Sequence, residues 1–120
     1  MEIRKRNAAA IHDALASAGL ATWDATDPAD PVMLRYPVRV NDKPGVLARA
    51  AAEGLDLAGW YDSPVHPLTG EQLEQAGYQP GRCPNAEAAI GQVVHLPTGL
   101  PSSDFSPKLM AKAIHILVTC

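Results

Sequence analysis

Over the opening stretch of the chain the apolar residues Ile3, Ala10, Ile11, Ala14, Leu15 and Ala18 recur at helical spacing. The pattern predicts a first helix from Glu2 to Ala18, with Gly19 standing where a helix stop is expected. From Thr22 to Pro31 the periodicity dissolves into Asp-Pro turns, and Pro28 and Pro31 offer no amide donor, so a surface loop is expected there. The period then changes to two. Val32, Leu34, Tyr36, Val38 and Val40 alternate with Met33, Arg35, Pro37 and Arg39, which reads as a strand with one face on the core. Pro37 favours an edge position or a bulge over a fully paired centre. Asn41 or Asp42 then caps a second helix, Pro44 suits its first turn, Val46, Leu47, Ala50 and Ala51 form its apolar side, and Gly54 ends it.

Leu55 to Tyr61 is short and apolar, and reads as a second strand. Asp62 to Pro84 is dense in proline and glycine, leaving room for little more than a turn around Glu71 to Ala76. A third helix is expected to begin near Pro84 and run through Ile90 to Val94, after which Pro97 and Gly99 open a turn. Ser106 and Pro107 make a cap and first turn for a last helix whose buried side is Leu109, Ala113, Ile116 and Leu117. The sum is an α+β, or small α/β, domain over residues 1–120, with two or three strands covered by about four helices.

Composition narrows the function classes. With 120 residues, 47% of them hydrophobic but only 5% aromatic, the chain suits one core of small aliphatic contacts. A net charge of -3 gives no broad positive field for nucleic acid. Arg4, Lys5 and Arg6 point in different directions on a helix and read as a solvated helix start. Cys83 and Cys120 lie too far apart to suggest a disulfide framework, so reduced thiols in the cytoplasm are expected. No stretch has the signal-peptide pattern or the ~20 apolar residues of a membrane span.

Candidate chemistry is sparse. Arg35 and Arg39 share the outer face of the first strand, where they are solvated, paired with carboxylates or in contact with a sugar diphosphate. Trp60 and Tyr61 either stack on a base or sugar ring or close a small core. His66, in a proline-bracketed loop beside them, either touches a substrate or neighbouring subunit or fixes the loop by a hydrogen bond. Cys83 and Glu87 stand one turn apart, but His12, His66, His95 and His115 have no zinc-like spacing around them, so no metal site is expected.

Several landmarks in order resemble the C-terminal, small domain of the DegT/StrS nucleotide-sugar aminotransferases. They are Arg4-x-x-Asn7-Ala8, Arg35-Tyr36-Pro37-Val38, Gly59-Trp60-Tyr61 leading into Pro64-Val65-His66, Pro84-Asn85-Ala86-Glu87 after Gly77-Tyr78, and His95-Leu96-Pro97, with Ser103-Asp104 before the last helix. The chain departs from the pattern at Asp42-Lys43-Pro44. The resemblance implies the fold of the minor domain of fold-type I pyridoxal phosphate (PLP) enzymes, and transfer of an amino group, usually from glutamate, to a nucleotide-linked keto-sugar. It implies that the cofactor-holding groups belong to a large domain absent from these residues. Lys5, Lys43, Lys108 and Lys112 are the only lysines, and each reads as solvated charge, so no cofactor is expected on this chain alone and no catalytic residue is assigned. Trp60, Tyr61, His66 and Arg35 are the residues expected to face a substrate or an interface. The expected partners are a second copy of the chain, a large-domain aminotransferase chain and a nucleotide sugar, with neither nucleic acid nor membrane. The alternative is a binding or interaction module that kept the fold without the chemistry.

Overall fold

In the computed structural model, which describes residues 2–20, 32–100 and 107–119, strand β1 (Arg35–Arg39) pairs antiparallel with β2 (Val93–Pro97). Tyr36 stands opposite Leu96 and Val38 opposite Val94, and alternation turns all four to one face, where they are buried. Helices α1 (Glu2–Ser17), α2 (Lys43–Ala52) and α5 (Pro107–Thr119) cover that face. α1 packs on β1, α2 on β2, and α5 on both helices. Ile11 and Leu15 of α1, Val46 and Ala50 of α2, and Ala113, Ile116 and Leu117 of α5 fill the space between. The short helices α3 (Glu71–Gln75) and α4 (Pro84–Ile90) bury no residue fully and lie outside this core.

Local chemistry sets the ends of the elements. Gly19 is left-handed at φ 76°, its N–H bonds the Ala16 carbonyl and that of Leu20 bonds Leu15, so the last turn of α1 closes as a Schellman motif. Gly54, at φ 73°, ends α2 in the same way through Ala51 and Ala50. Asp42, not Asn41, caps α2, its carboxylate accepting from the Gly45 N–H at 3.1 Å. Pro37 lies opposite His95, whose N–H and carbonyl both turn away from β1 toward Ala58. Pro37 therefore occupies a non-hydrogen-bonded pair, and its missing N–H costs no ladder bond on what is an edge strand.

Four expectations are corrected. The alternation from Val32 does not make strand before Arg35, and Leu34 is 61% exposed, because β2 has no residue beyond Pro97 to pair with it. Leu55 to Tyr61 is not a strand and contributes one isolated bridge, at Ala58. The helix from Pro84 stops at Ile90, and Val93 and Val94 belong to the second strand instead. The turn near Glu71 is a helix, which brings the described helices to five. The Asp-Pro loop, the Ser106 cap, Ser103-Asp104 and Cys120 fall outside the described residues.

Of Arg4, Lys5 and Arg6, read as a solvated helix start, Arg4 is instead bonded to the sheet, and Asn7 joins it. Arg4 Nη1 donates to Leu34 O at 2.7 Å and Thr98 Oγ1 at 3.0 Å, and the Thr98 hydroxyl in turn reaches the Met33 and Leu34 carbonyls at 2.7 and 2.8 Å. Buried Asn7 donates to Thr98 O and Leu100 O, both at 2.9 Å. A Cβ on Gly99 would stand 2.7 Å from Arg4 Nη2, so glycine permits this close approach. The knot ties α1 to the start of β1 and the end of β2. Replacing Asn7 by alanine leaves two carbonyls without their donor and is expected to cost about 2 kcal/mol in urea denaturation, whereas exposed Ile3→Ala should stay within about 0.5 kcal/mol.

Candidate functional site

The second face of the sheet carries Arg35, Pro37 and Arg39 from β1 with Val93, His95 and Pro97 from β2. After α2 a crossing segment runs along the free edge of β2, where Ala58 exchanges both backbone bonds with His95, at 3.1 and 2.8 Å. At Gly59 a Cβ would stand 2.7 Å from Leu47 Cδ1 and 2.9 Å from Lys43 Cε, so the missing side chain lets the crossing run close to α2. The Trp60 and Tyr61 rings each lie 5.7 Å from the His95 imidazole, the first tilted by 31° and the second edge-on. His95 is buried, with these two rings against it.

Arg35, on the neighbouring strand, sets its guanidinium carbon 5.2 Å from the Trp60 ring centroid and bonds Asp56 through Nη2 at 3.0 Å. Tyr61 meets His66 edge-on at 5.5 Å, and His66 Nδ1 accepts the Asp62 N–H at 3.3 Å. The four residues singled out from the sequence, Arg35, Trp60, Tyr61 and His66, thus form one run of contacts. His66 fixes its own loop, and Trp60 and Tyr61 keep 43% and 48% of their surface exposed. The run passes through His95, which sequence reasoning missed as a site residue because Val93 and Val94 read as helix. The signal for it was a lone polar residue between Val94 and Leu96 in a run ended by proline.

Burial pushes the His95 pKa below its ordinary 6.5, the Lys43 and Arg35 charges add to this, and the hydrogen bond to the Ala58 carbonyl opposes it. The imidazole is therefore neutral at pH 7, with Nδ1 placed 3.3 Å from that carbonyl. Lys43, expected to be solvated, instead donates to Ile90 O at 2.7 Å and Tyr61 O at 3.4 Å, joining α2, the end of α4 and the crossing segment. Lys112 donates to Glu53 O, Lys108 is exposed, and Lys5 sits on α1 between Arg4 and Arg6. These placements do not fit a lysine that holds PLP covalently, which needs a free amine in an apolar pocket.

An open cleft of about 420 Å³ adjoins the cluster, walled by Arg4, Leu34, Arg35, Asp56, Trp60 and Thr98. It offers an aromatic platform beside a fixed donor and a fixed acceptor, a combination suited to stacking a ring and bonding its edge. Further along, the Tyr78 hydroxyl and the Gly81 N–H both donate to Glu87 Oε1, pinning the loop before α4. The Tyr78 hydrogen bond, then that of Gly81, holds the Glu87 carboxyl below its ordinary range, and the same contact raises Tyr78. Among the described residues no group of three His, Cys, Asp or Glu side chains is placed to hold a metal, and no helix is long and apolar enough to cross a membrane.

Asp56 is 63% exposed, so its ion pair with Arg35 is weak, and the stacking on Trp60 carries more of the contact. Arg35→Met is expected to cost about 1 kcal/mol by denaturation and Asp56→Asn less than half of that. Tyr78→Phe should return the Glu87 carboxyl toward its ordinary value, as followed by carbon NMR across the acidic range, and an unmoved titration would contradict the assignment.

The sequence matches the family model of the DegT/DnrJ/EryC1/StrS aminotransferases over residues 1–109. No curated protein matches it. Among solved structures it is similar to a DegT DnrJ EryC1 StrS aminotransferase from Brucella abortus, with a TM-score of 0.72 at 23% identity, a likeness of fold. That likeness takes in 99% of this chain and 30% of the other, so the chain spans less than a third of its relative's length. By the reach of the family match, the chain belongs to the DegT/DnrJ/EryC1/StrS aminotransferase family.

Proposed function

We propose that this chain is the small-domain part of a PLP-dependent aminotransferase that moves an amino group from glutamate to a nucleotide-linked keto-sugar. The family match over residues 1–109 carries the reading. The groups that hold the cofactor, including its lysine, come from a large domain outside these residues, and the chain does not transfer amino groups without it. The cofactor, when bound there, supplies the electron sink of the reaction.

The contribution of this chain is recognition and docking. Trp60, Tyr61, His66 and Arg35 face the substrate or the large domain, with the cleft beside Trp60 receiving part of the bound ligand. The exposed apolar side chains of Leu34, Trp60, Tyr61 and Val65 support this, since such surface is normally covered. In the absence of a large domain the same surface favours self-association of the chain. The setting is cytoplasmic, without nucleic-acid or membrane partners.

The chain, tagged and recovered from its native cells, is expected to retain a lysine-bearing large-domain polypeptide identified by mass spectrometry. Mixing the two with PLP, glutamate and a keto-sugar nucleotide should release 2-oxoglutarate, and neither should do so alone. Amino transfer by this chain alone, or by the large domain at an undiminished rate without it, would overturn the reading.

A further inference from the structure

The stretch from Leu55 to Thr69 forms neither helix nor strand, runs along the free edge of β2 through the Ala58 bridge, and sets the Trp60 and Tyr61 rings against His95. Leu55 enters the core and Leu57 packs against it, whereas Trp60 and Tyr61 are half exposed and held by fewer contacts. The Ala58 bridge fixes the backbone, Arg35 holds Asp56 and Trp60, Lys43 holds the Tyr61 carbonyl, and the His95 ring lies against Trp60 and Tyr61. The charged and titratable groups near His95 are Arg35 from β1, with Nη1 at 3.5 Å from the His95 carbonyl, Lys43 from α2, and Tyr61 from the segment itself, with His66 beyond it against the Tyr61 ring. The nearby carboxylates are engaged elsewhere, Asp56 with Arg35 and Asp62 beside His66 at 3.8 Å. Among the described residues no carboxylate is paired with His95.

We propose that His95 is a pH-sensitive latch whose neutral ring holds the Trp60–Tyr61 segment on the sheet and whose protonation lifts that segment away. A proton on His95 arrives at a buried ring, where the Arg35 and Lys43 charges oppose it. It loses hydration there without gaining a counter-ion, so the closed arrangement disfavours the charged form. Lifting Trp60 and Tyr61 returns the ring to water at the cost of a few side-chain contacts and strain on the Ala58 bridge, while Leu55 and the helical layer keep the core. The sign follows from linkage. The closed form binds fewer protons than the open one, so it is fully favoured above the ordinary histidine pKa of 6.5 and loses that advantage as pH falls through the lower closed-state value. The inference concerns this chain's own residues and stands apart from the aminotransferase reading.

The test uses the full chain carrying Trp23→Phe, which leaves Trp60 as the only tryptophan. Its indole emission and quenching by acrylamide are followed from about pH 8 to about pH 5, the range in which histidines titrate. One transition is expected below pH 6.5, with Trp60 becoming more accessible while the helical circular dichroism stays constant. His95→Phe keeps an aromatic ring under the segment and should abolish the transition. Lys43→Met removes a flanking cation and a tether together, both of which act in one direction, so the midpoint should rise. A Trp60 signal that does not change with pH would overturn the proposal, as would a transition that persists in His95→Phe. Should His95→Phe fail to fold, an unmoved midpoint in Lys43→Met would overturn it equally.

Discussion

The antiparallel pairing of Tyr36 with Leu96 and Val38 with Val94 joins parts of the chain some sixty residues apart, and it creates the two faces on which everything else is arranged. On one face the alternation drives Tyr36, Val38, Val94 and Leu96 into the helices, where burial of apolar surface supplies the main stabilisation. On the other it presents Arg35 and His95 as diagonal neighbours, two polar groups that the Trp60 ring, from a stretch without regular structure, then contacts. A two-stranded sheet is marginal alone, so the fold depends on α1, α2 and α5 to hold the pair together. The knot of Arg4, Asn7 and Thr98 serves that end, because it clamps α1 across the ends of both strands.

The sequence made the helices legible where their signals were local. α1 shows its apolar stripe and its left-handed glycine, α2 its aspartate cap and proline start, and α5 its buried side. The second strand was not legible, because Ile90, Val93 and Val94 lie close enough together to continue a helix, and only pairing with a distant segment decides otherwise. Leu55 to Tyr61 erred in the opposite direction. Its composition suits a strand, but Gly59 is spent on passing α2 and the rings at Trp60 and Tyr61 lie across the sheet, so pairing stops at Ala58. Helix signals are written within a few residues, whereas strand identity is written between segments.

The same distinction explains the site. Trp60, Tyr61, His66 and Arg35 were legible as residue types in a family pattern, and the fold does gather them. What gathers them was not legible, since His95 and Lys43 act through partners thirty-seven and forty-seven residues away. Lys43 read as solvated charge because its neighbours in sequence are Asp42 and Pro44, while its neighbours in space are the carbonyls of Ile90 and Tyr61. An ammonium with three donors and no acceptor is well matched to converging carbonyls, and that match exists only after folding.

Residues that build the fold and residues that face outward are largely separate sets, and they meet at one place. The turn from Pro97 to Leu100 receives the Asn7 amide on its inner side and walls the cleft beside Trp60 on its outer side. Arg4 spans both, bonded to Thr98 and packed against Gly99 while lining the same cleft. Strain introduced at Gly99 would therefore reach the clamp on α1 and the cleft wall together, whereas a change at Asp56, on the exposed rim, would reach the cleft alone. Arg4 and Asn7 thus act by fixing the strand ends, and the geometry of the outer face follows from how firmly those ends are held.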